Sequence, residues 1–168
     1  LELVNKTDIP VATTLLGLGG FPENHDLSLG MLGMHGTVPA NFATDEADLV
    51  IAAGIRFDDR IAGNPSKFCE HAKIIHIDID PAEIDKNKKV DVPIVGDLKN
   101  VLAEINKELE PKKHTEWTDK VKKWKNEYPL AHRNVGEDKL LPQEVLKAVN
   151  DILDGDAIVV TDVGQHQM

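Results

Sequence analysis

DLVIAAGIRFDDR at residues 48–60 and KIIHIDID at residues 73–80 decide the fold. The first holds a short apolar run that stops at Gly54. The second carries Ile74, Ile75, Ile77 and Ile79 before it meets Pro81. The first reads as a strand buried on both faces, and the second as a strand with alternating apolar residues. Moving outward, Pro10–Leu16 (PVATTLL) and Val92–Val95 read as further strands, and AIVVT at 157–161 as another. Helical spacing lies between them. Residues 37–46 offer Ala40, Phe42 and Ala43 for packing. Residues 97–109 place Leu98, Val101, Leu102, Ile105 and Leu109 on one stripe, with Asp97 at the N-cap position. Leu141, Val145, Leu146, Val149 and Ile152 mark a later helix, with Pro142 in its first turn. Short strands alternating with helices predict an α/β chain: a parallel sheet with helices on both faces.

The 168 residues suit one domain, or one domain plus part of another. The single Cys excludes an internal disulfide and a Cys-rich zinc pattern. No run of 18 apolar residues exists to form a transmembrane helix. A net charge of −10 argues against nucleic acid as a partner, because phosphate backbones need surplus Lys and Arg. No secretory segment is present, which predicts the cytoplasm, with a plastid form left open. Residues 111–133 are locally basic, with 7 Lys and Arg against 3 Asp and Glu. Trp117, Val121, Trp124 and Tyr128 there fall at helical spacing, so a helix burying an aromatic stripe and exposing its lysines explains the charge.

Ligands of parallel sheets bind beyond the carboxyl ends of the strands, so those residues carry the functional argument. After the first strand come Thr14, Leu15, Gly17, Gly19 and Gly20, which lack the dinucleotide fingerprint and also read as a tight turn. LGMLGMHGT (29–37) is a Met- and Gly-rich loop that could admit a flat ring close to the backbone, although Met also serves as core filler. Arg56, Asp58, Asp59 and Arg60 follow a buried strand end. They either neutralise one another or present an arginine fork to a phosphate. Asp78 and Asp97 end strands where a carboxylate accepts from a ribose or caps its own loop. No P-loop, no G-x-S-x-G and no acid/base pair with defensible geometry occurs, so no catalytic residue and no metal ligand is assigned.

LSLGMLGMHGT (27–37), GIRFDDR (54–60), KIIHIDIDPAEIDKNK (73–88) and the terminal TDVGQHQM together resemble the large, catalytic subunit of acetolactate synthase. The resemblance covers nearly the whole chain and is weakest at 111–139. It implies the Rossmann-like central domain of thiamine-diphosphate enzymes, here incomplete. Residues 1–110 would be the central FAD domain lacking its first strand. Residues 111–139 would be a linker with one helix, and 140–168 the start of the diphosphate-binding domain. Leu1 in place of Met, and a stop inside TDVGQHQM, fit a piece of a longer chain. The activity implied is decarboxylation of pyruvate and transfer of the hydroxyethyl unit to a second 2-keto acid, in branched-chain amino-acid synthesis. FAD, thiamine diphosphate and Mg²⁺ are the implied cofactors. A homodimer or tetramer, often with a small regulatory subunit, is the implied assembly.

The positions matching the family's FAD contacts are Thr14, Leu15, Leu32, Gly33, Met34, His35, Gly54, Ile55, Arg56, Phe57, Asp58, Arg60, Asp78, Ile79, Asp97 and Leu98. Val163, Gly164, Gln165 and His166 match those that approach thiamine diphosphate. Pro39 departs from the family's usual Tyr. The family's cofactor-activating glutamate and its Mg²⁺ motif fall outside these residues, so 1–168 alone is expected to be inactive. A flavin-free catabolic acetolactate synthase is the nearest rival within the family, and RFDDR argues against it. A free nucleotide-binding module and an assembly domain with an empty flavin site are the rivals of other classes.

Overall fold

The structure is a computed structural model and describes residues 1–130 and 140–164. A first compact unit runs from Leu1 to Tyr128, and the remainder forms a second. In the first, helix α1 (Glu2–Thr7) leads into β1 (Val11–Thr13), a 3₁₀ turn at Leu15–Gly17, and β2 (Ser28–Met31). Then follow α2 (Val38–Glu46), β3 (Leu49–Ala53), the short α3 (Asp59–Ala62) and β4 (Lys73–Asp78). The unit ends with β5 (Val92–Val95), α4 (Leu98–Glu108) and α5 (Thr115–Glu127).

All pairing is parallel, as the alternation of strands and helices predicts. It falls into two ladders instead of one sheet: β1–β2, and β3–β4–β5 in that order. β4 is central to the second ladder, and its Ile74, His76 and Ile77 are buried. Among the described residues β3 pairs with β4 alone; Leu49 is exposed and only Ala52 is buried within that strand. The expectation that Leu49–Ala53 is covered on both faces is corrected accordingly. The strand expected over 10–16 stops at Thr13, because Thr14 turns the chain into the 3₁₀ turn and accepts from the Gly17 N–H. The strand expected over 73–80 stops at Asp78, whose Oδ1 takes the Asp80 N–H at 2.9 Å and folds the chain away. β2 overlaps the start of the segment read as a Gly-rich loop.

Three apolar clusters hold the unit together. Leu29, Ala40, Ala43, Val121 and Trp124 join β2, α2 and α5. Ala52, Phe57, Ala62, Cys69 and Ile74 form the core around β3 and β4. Val4, Phe21 and Leu27 close the α1 end. The aromatic stripe of α5 therefore faces α2: Trp124 meets the Phe42 and Trp117 rings edge-on at 5.8 Å each. Tyr128 ends the helix, partly exposed, with its ring edge-on to Phe42. α2 begins where Thr37 Oγ1 caps the Ala40 N–H at 3.1 Å, and Pro39 sits in the first turn, where its missing N–H costs nothing. α4 begins at Asp97, which accepts from the Asn100 N–H at 3.0 Å.

In the second unit, α6 spans Pro142–Leu153. Glu144 reaches back to the Leu141 N–H at 2.9 Å; Leu141 has no side-chain acceptor, so one half of a capping box is made. The strand expected at 157–161 is not formed. Ile158, Val159 and Val160 are exposed, and a strand without a neighbour has no ladder to satisfy its backbone.

Candidate functional site

The carboxyl ends of the strands bring the predicted residues into two groups. Around β1 and β2, the Leu32 N–H donates to the Thr13 carbonyl at 2.8 Å, which seats Leu32–His35 beside Thr14 and Leu15. Asn41 on α2 clamps the same loop: its Oδ1 takes the Gly33 N–H and its Nδ2 donates to the Gly33 carbonyl, both at 3.0 Å. Around β3, β4 and β5, the Gly54 N–H donates to the Ile77 carbonyl at 2.8 Å and the Gly96 N–H to the Asp78 carbonyl at 2.9 Å. Those bonds set Gly54–Asp58, Asp78 with Ile79, and Asp97 with Leu98 side by side.

One backbone contact joins the groups. The Met34 N–H donates to the Arg60 carbonyl at 2.9 Å, and the Arg60 guanidinium lies 3.9 Å from the Met34 sulfur. Gly33 makes this approach possible. Its φ is +107°, and a Cβ there would fall 2.4 Å from the Arg60 carbonyl oxygen. Met34 is 63% exposed, so it is not core filler in this structure.

The charged residues of RFDDR divide their roles. Asp58 Oδ1 accepts from the Arg60 and Ile61 N–H groups at 3.2 Å and caps α3. Arg56 approaches Asp58 Oδ2 at 3.8 Å, with both side chains solvent-accessible, a pairing too loose to hold the arginine. Arg56 thus remains available to an anion. Phe57 points inward, 2% exposed, with its backbone at φ +50°. The N–H groups of Arg56, Phe57 and Asp58 find no acceptor among the described residues. Consecutive unpaired amides beside an arginine make a cradle for a phosphate-type anion. A diphosphate group fits that donor set. Asp78 and Asp97 supply carboxylates at the neighbouring strand ends, and Met34 is joined to this loop through the Arg60 carbonyl.

Two residues that sequence reasoning left aside support this loop. His76 on β4 is fully buried, and its Nε2 lies 2.8 Å from the Ile55 carbonyl. Asn87, in the loop between β4 and β5, donates from Nδ2 to the Arg56 carbonyl at 2.9 Å. A polar ring inside KIIHIDID was the available signal; Asn87 gave none. The same β4–β5 loop is fixed by Asp85, which accepts from the Val90 N–H at 2.9 Å. That hydrogen bond, helped by Lys89, holds the Asp85 carboxyl below its ordinary range.

Val163 and Gly164 are solvent-accessible in the second unit, while Gln165 and His166 lie outside the described residues. Among the described residues no group of three or more His, Cys, Asp or Glu is placed to hold a metal ion. No helix among them is long and apolar enough to cross a membrane.

Comparison with known proteins gives the family of the chain. The family profile described as "Thiamine pyrophosphate enzyme, central domain" matches residues 1–105. Over 99% of its length the chain is 50% identical to "Acetolactate synthase large subunit" of Parasynechococcus marenigrum, covering 27% of that protein. It is 47% identical to "Probable acetolactate synthase 2, chloroplastic" of Oryza sativa subsp. japonica, again over 99% of the chain and 26% of the relative. It is 48% identical to "Acetolactate synthase 1, chloroplastic" of Zea mays, over 99% of the chain and 27% of the relative. The chain thus spans about a quarter of the length of these relatives.

Proposed function

This chain belongs to the thiamine pyrophosphate enzyme central-domain family, and we propose that it is part of an acetolactate synthase catalytic subunit. The whole protein would decarboxylate pyruvate and join the resulting two-carbon unit to a second 2-keto acid. Residues 1–110 form its FAD-holding central domain, 111–139 the connecting segment, and 140–168 the entry to the diphosphate-binding domain. The observation that carries this reading is the near-half identity to three acetolactate synthases along 99% of the chain. The strand-end geometry supports the flavin-dependent form: Arg56 and the free amides of Arg56–Asp58 suit a diphosphate, and RFDDR supplies them.

Within this site the chain's own residues bind and orient. Arg56 balances diphosphate charge. Thr14, Leu15 and Leu32–His35 border the flavin end, and Asp78, Ile79, Asp97 and Leu98 border the ribose and adenine. Val163–His166 approach thiamine diphosphate, which supplies the electron sink for decarboxylation when bound. Mg²⁺ would be held by residues outside 1–168. No residue here is assigned a proton transfer, so residues 1–168 alone are expected to be inactive. The assembly proposed is a homodimer or tetramer with a small regulatory subunit, in the cytoplasm or a plastid.

The test is a paired measurement on the intact protein: flavin fluorescence quenching on titration with FAD, and acetolactate formation from pyruvate with all three cofactors. Binding with turnover is expected. Turnover without FAD binding would select the flavin-free form. Absence of both would leave a non-catalytic module and end this reading.

A further inference from the structure

The Gly54–Asp58 loop follows β3, yet two residues from other elements hold its carbonyls. His76 Nε2 sits 2.8 Å from the Ile55 carbonyl oxygen, which can only accept, so the ring proton is on Nε2. His76 Nδ1 is then a bare acceptor, and it is buried without a partner among the described residues. A buried polar atom left unpaired is costly, so the ring is kept there by what its other nitrogen does. The ring also meets the Phe57 ring edge-on at 5.0 Å, and its Nε2 lies 3.9 Å from Asp78 Oδ2. Asn87 Nδ2 donates to the next carbonyl, that of Arg56, at 2.9 Å from a loop 31 residues away.

In a trans peptide the C=O and the following N–H point in opposite directions. Fixing the Ile55 carbonyl on His76 therefore turns the Arg56 N–H the other way. Fixing the Arg56 carbonyl on Asn87 does the same for the Phe57 N–H. Both amides lack an acceptor among the described residues, and Phe57 holds φ +50° while its side chain is buried. Two successive carbonyls drawn back and two successive amides left free form a preset anion-binding turn.

We propose that His76 and Asn87 are positioning residues of the nucleotide site: they pin the Ile55 and Arg56 carbonyls so that the Arg56 and Phe57 amides face a diphosphate. This rests on the nucleotide-binding reading above and adds the two residues that hold the loop. Neither touches the ligand. Their effect falls on the phosphate part and leaves the ring systems alone.

The experiment measures dissociation constants for FAD and for ADP on the intact protein and its variants. Asn87 is exposed, so Asn87→Ala should lower the melting temperature by no more than about 4 °C while weakening FAD and ADP by the same factor. One lost hydrogen bond of about 1.4 kcal/mol corresponds to about tenfold. His76→Leu should weaken both ligands, and His76→Gln, which keeps an N–H donor, should recover part of the loss. If wild type binds FAD and Asn87→Ala binds it equally well, the positioning role is wrong and the site reading survives. If FAD weakens but ADP does not, the assignment to the diphosphate is overturned. If wild type binds neither ligand, both readings fall. Should His76→Leu not fold, Asn87→Ala alone decides.

Discussion

Gly33 is a position where one added methyl group should do heavy damage, and Gly54 provides its control. Both glycines have positive φ, +107° at Gly33 and +65° at Gly54. Their surroundings differ. A Cβ on Gly54 meets nothing within 4 Å. A Cβ on Gly33 would lie 2.4 Å from the Arg60 carbonyl oxygen, 3.2 Å from the Ile61 Cα and 3.3 Å from the Arg60 carbonyl carbon. All three are backbone atoms, so no side chain can swing aside. Gly54→Ala then carries a conformational cost of about 1 kcal/mol. Gly33→Ala carries a cost of about 2 kcal/mol for its φ. Overpacking against backbone adds about 1–2 kcal/mol. Displacement of Arg60 also strains the Met34 N–H to Arg60 bond at 2.9 Å, worth about 1 kcal/mol. The sum is about 4–5 kcal/mol for Gly33→Ala against about 1 for Gly54→Ala. At about 3 °C per kcal/mol for a chain of this size, the melting temperatures should fall by about 12–15 °C and about 3 °C. Urea titration and thermal melts followed by far-ultraviolet circular dichroism read both. Equal losses in the two variants would refute the claim that the loop is docked on the α3 turn.

Three further outcomes follow from the packing. Asp97→Ala removes the cap on the Asn100 N–H and should cost about 1 kcal/mol, with faster amide exchange confined to the first turn of α4. Trp124→Ala opens the α2–α5 contact, where the ring is 8% exposed, and should cost about 3–5 kcal/mol in a thermal melt; the half-buried Trp117 should cost less on the same change. Cys69 is buried, and burial pushes its thiol up to about 12. The folded state therefore holds the proton that the unfolded chain releases near pH 8.5. That stability is complete below the unfolded value and is lost as pH rises toward 12. Cys69 should resist a disulfide reagent at pH 8 until urea unfolds the chain, and Cys69→Ala should flatten the alkaline loss of stability.

The parts of the fold legible from sequence are those set by local chemistry. The Val92–Val95 strand, the α4 stripe with its Asp97 cap, and α2 behind Thr37 are each decided within about ten residues. What escaped depends on distant partners. β2 is held by β1, 17 residues upstream, and Gly30 at φ +77° interrupts its alternation. Residues 157–161 have the composition of a strand without a neighbour to pair with. The division into two ladders is a matter of which edges meet, and apolar runs do not encode that. Similarly, the strand-end rule located the loops of the site, while His76 and Asn87 act on it across 21 and 31 residues.

The carboxylates show why the sequence left two roles open for the same residues. Asp78 and Asp97 each read either as a cap or as a ligand group, and Asp58 as a charge neutralising its neighbouring arginines. In all three, the local hydrogen bonds use Oδ1: Asp58 to Arg60 and Ile61, Asp78 to Asp80, Asp97 to Asn100. An ionised carboxylate has acceptor sites on both oxygens, so a cap on one leaves the other in place for a second partner. Asp58 Oδ2 already turns to Arg56, at 3.8 Å, and Asp78 Oδ2 lies 3.9 Å from His76 Nε2. Capping is what aims the second oxygen, since it fixes the carboxylate plane against the loop. The two readings are therefore not rivals in this fold. A substitution by Asn, which keeps a capping oxygen but loses the charge, separates them where Ala would remove both at once.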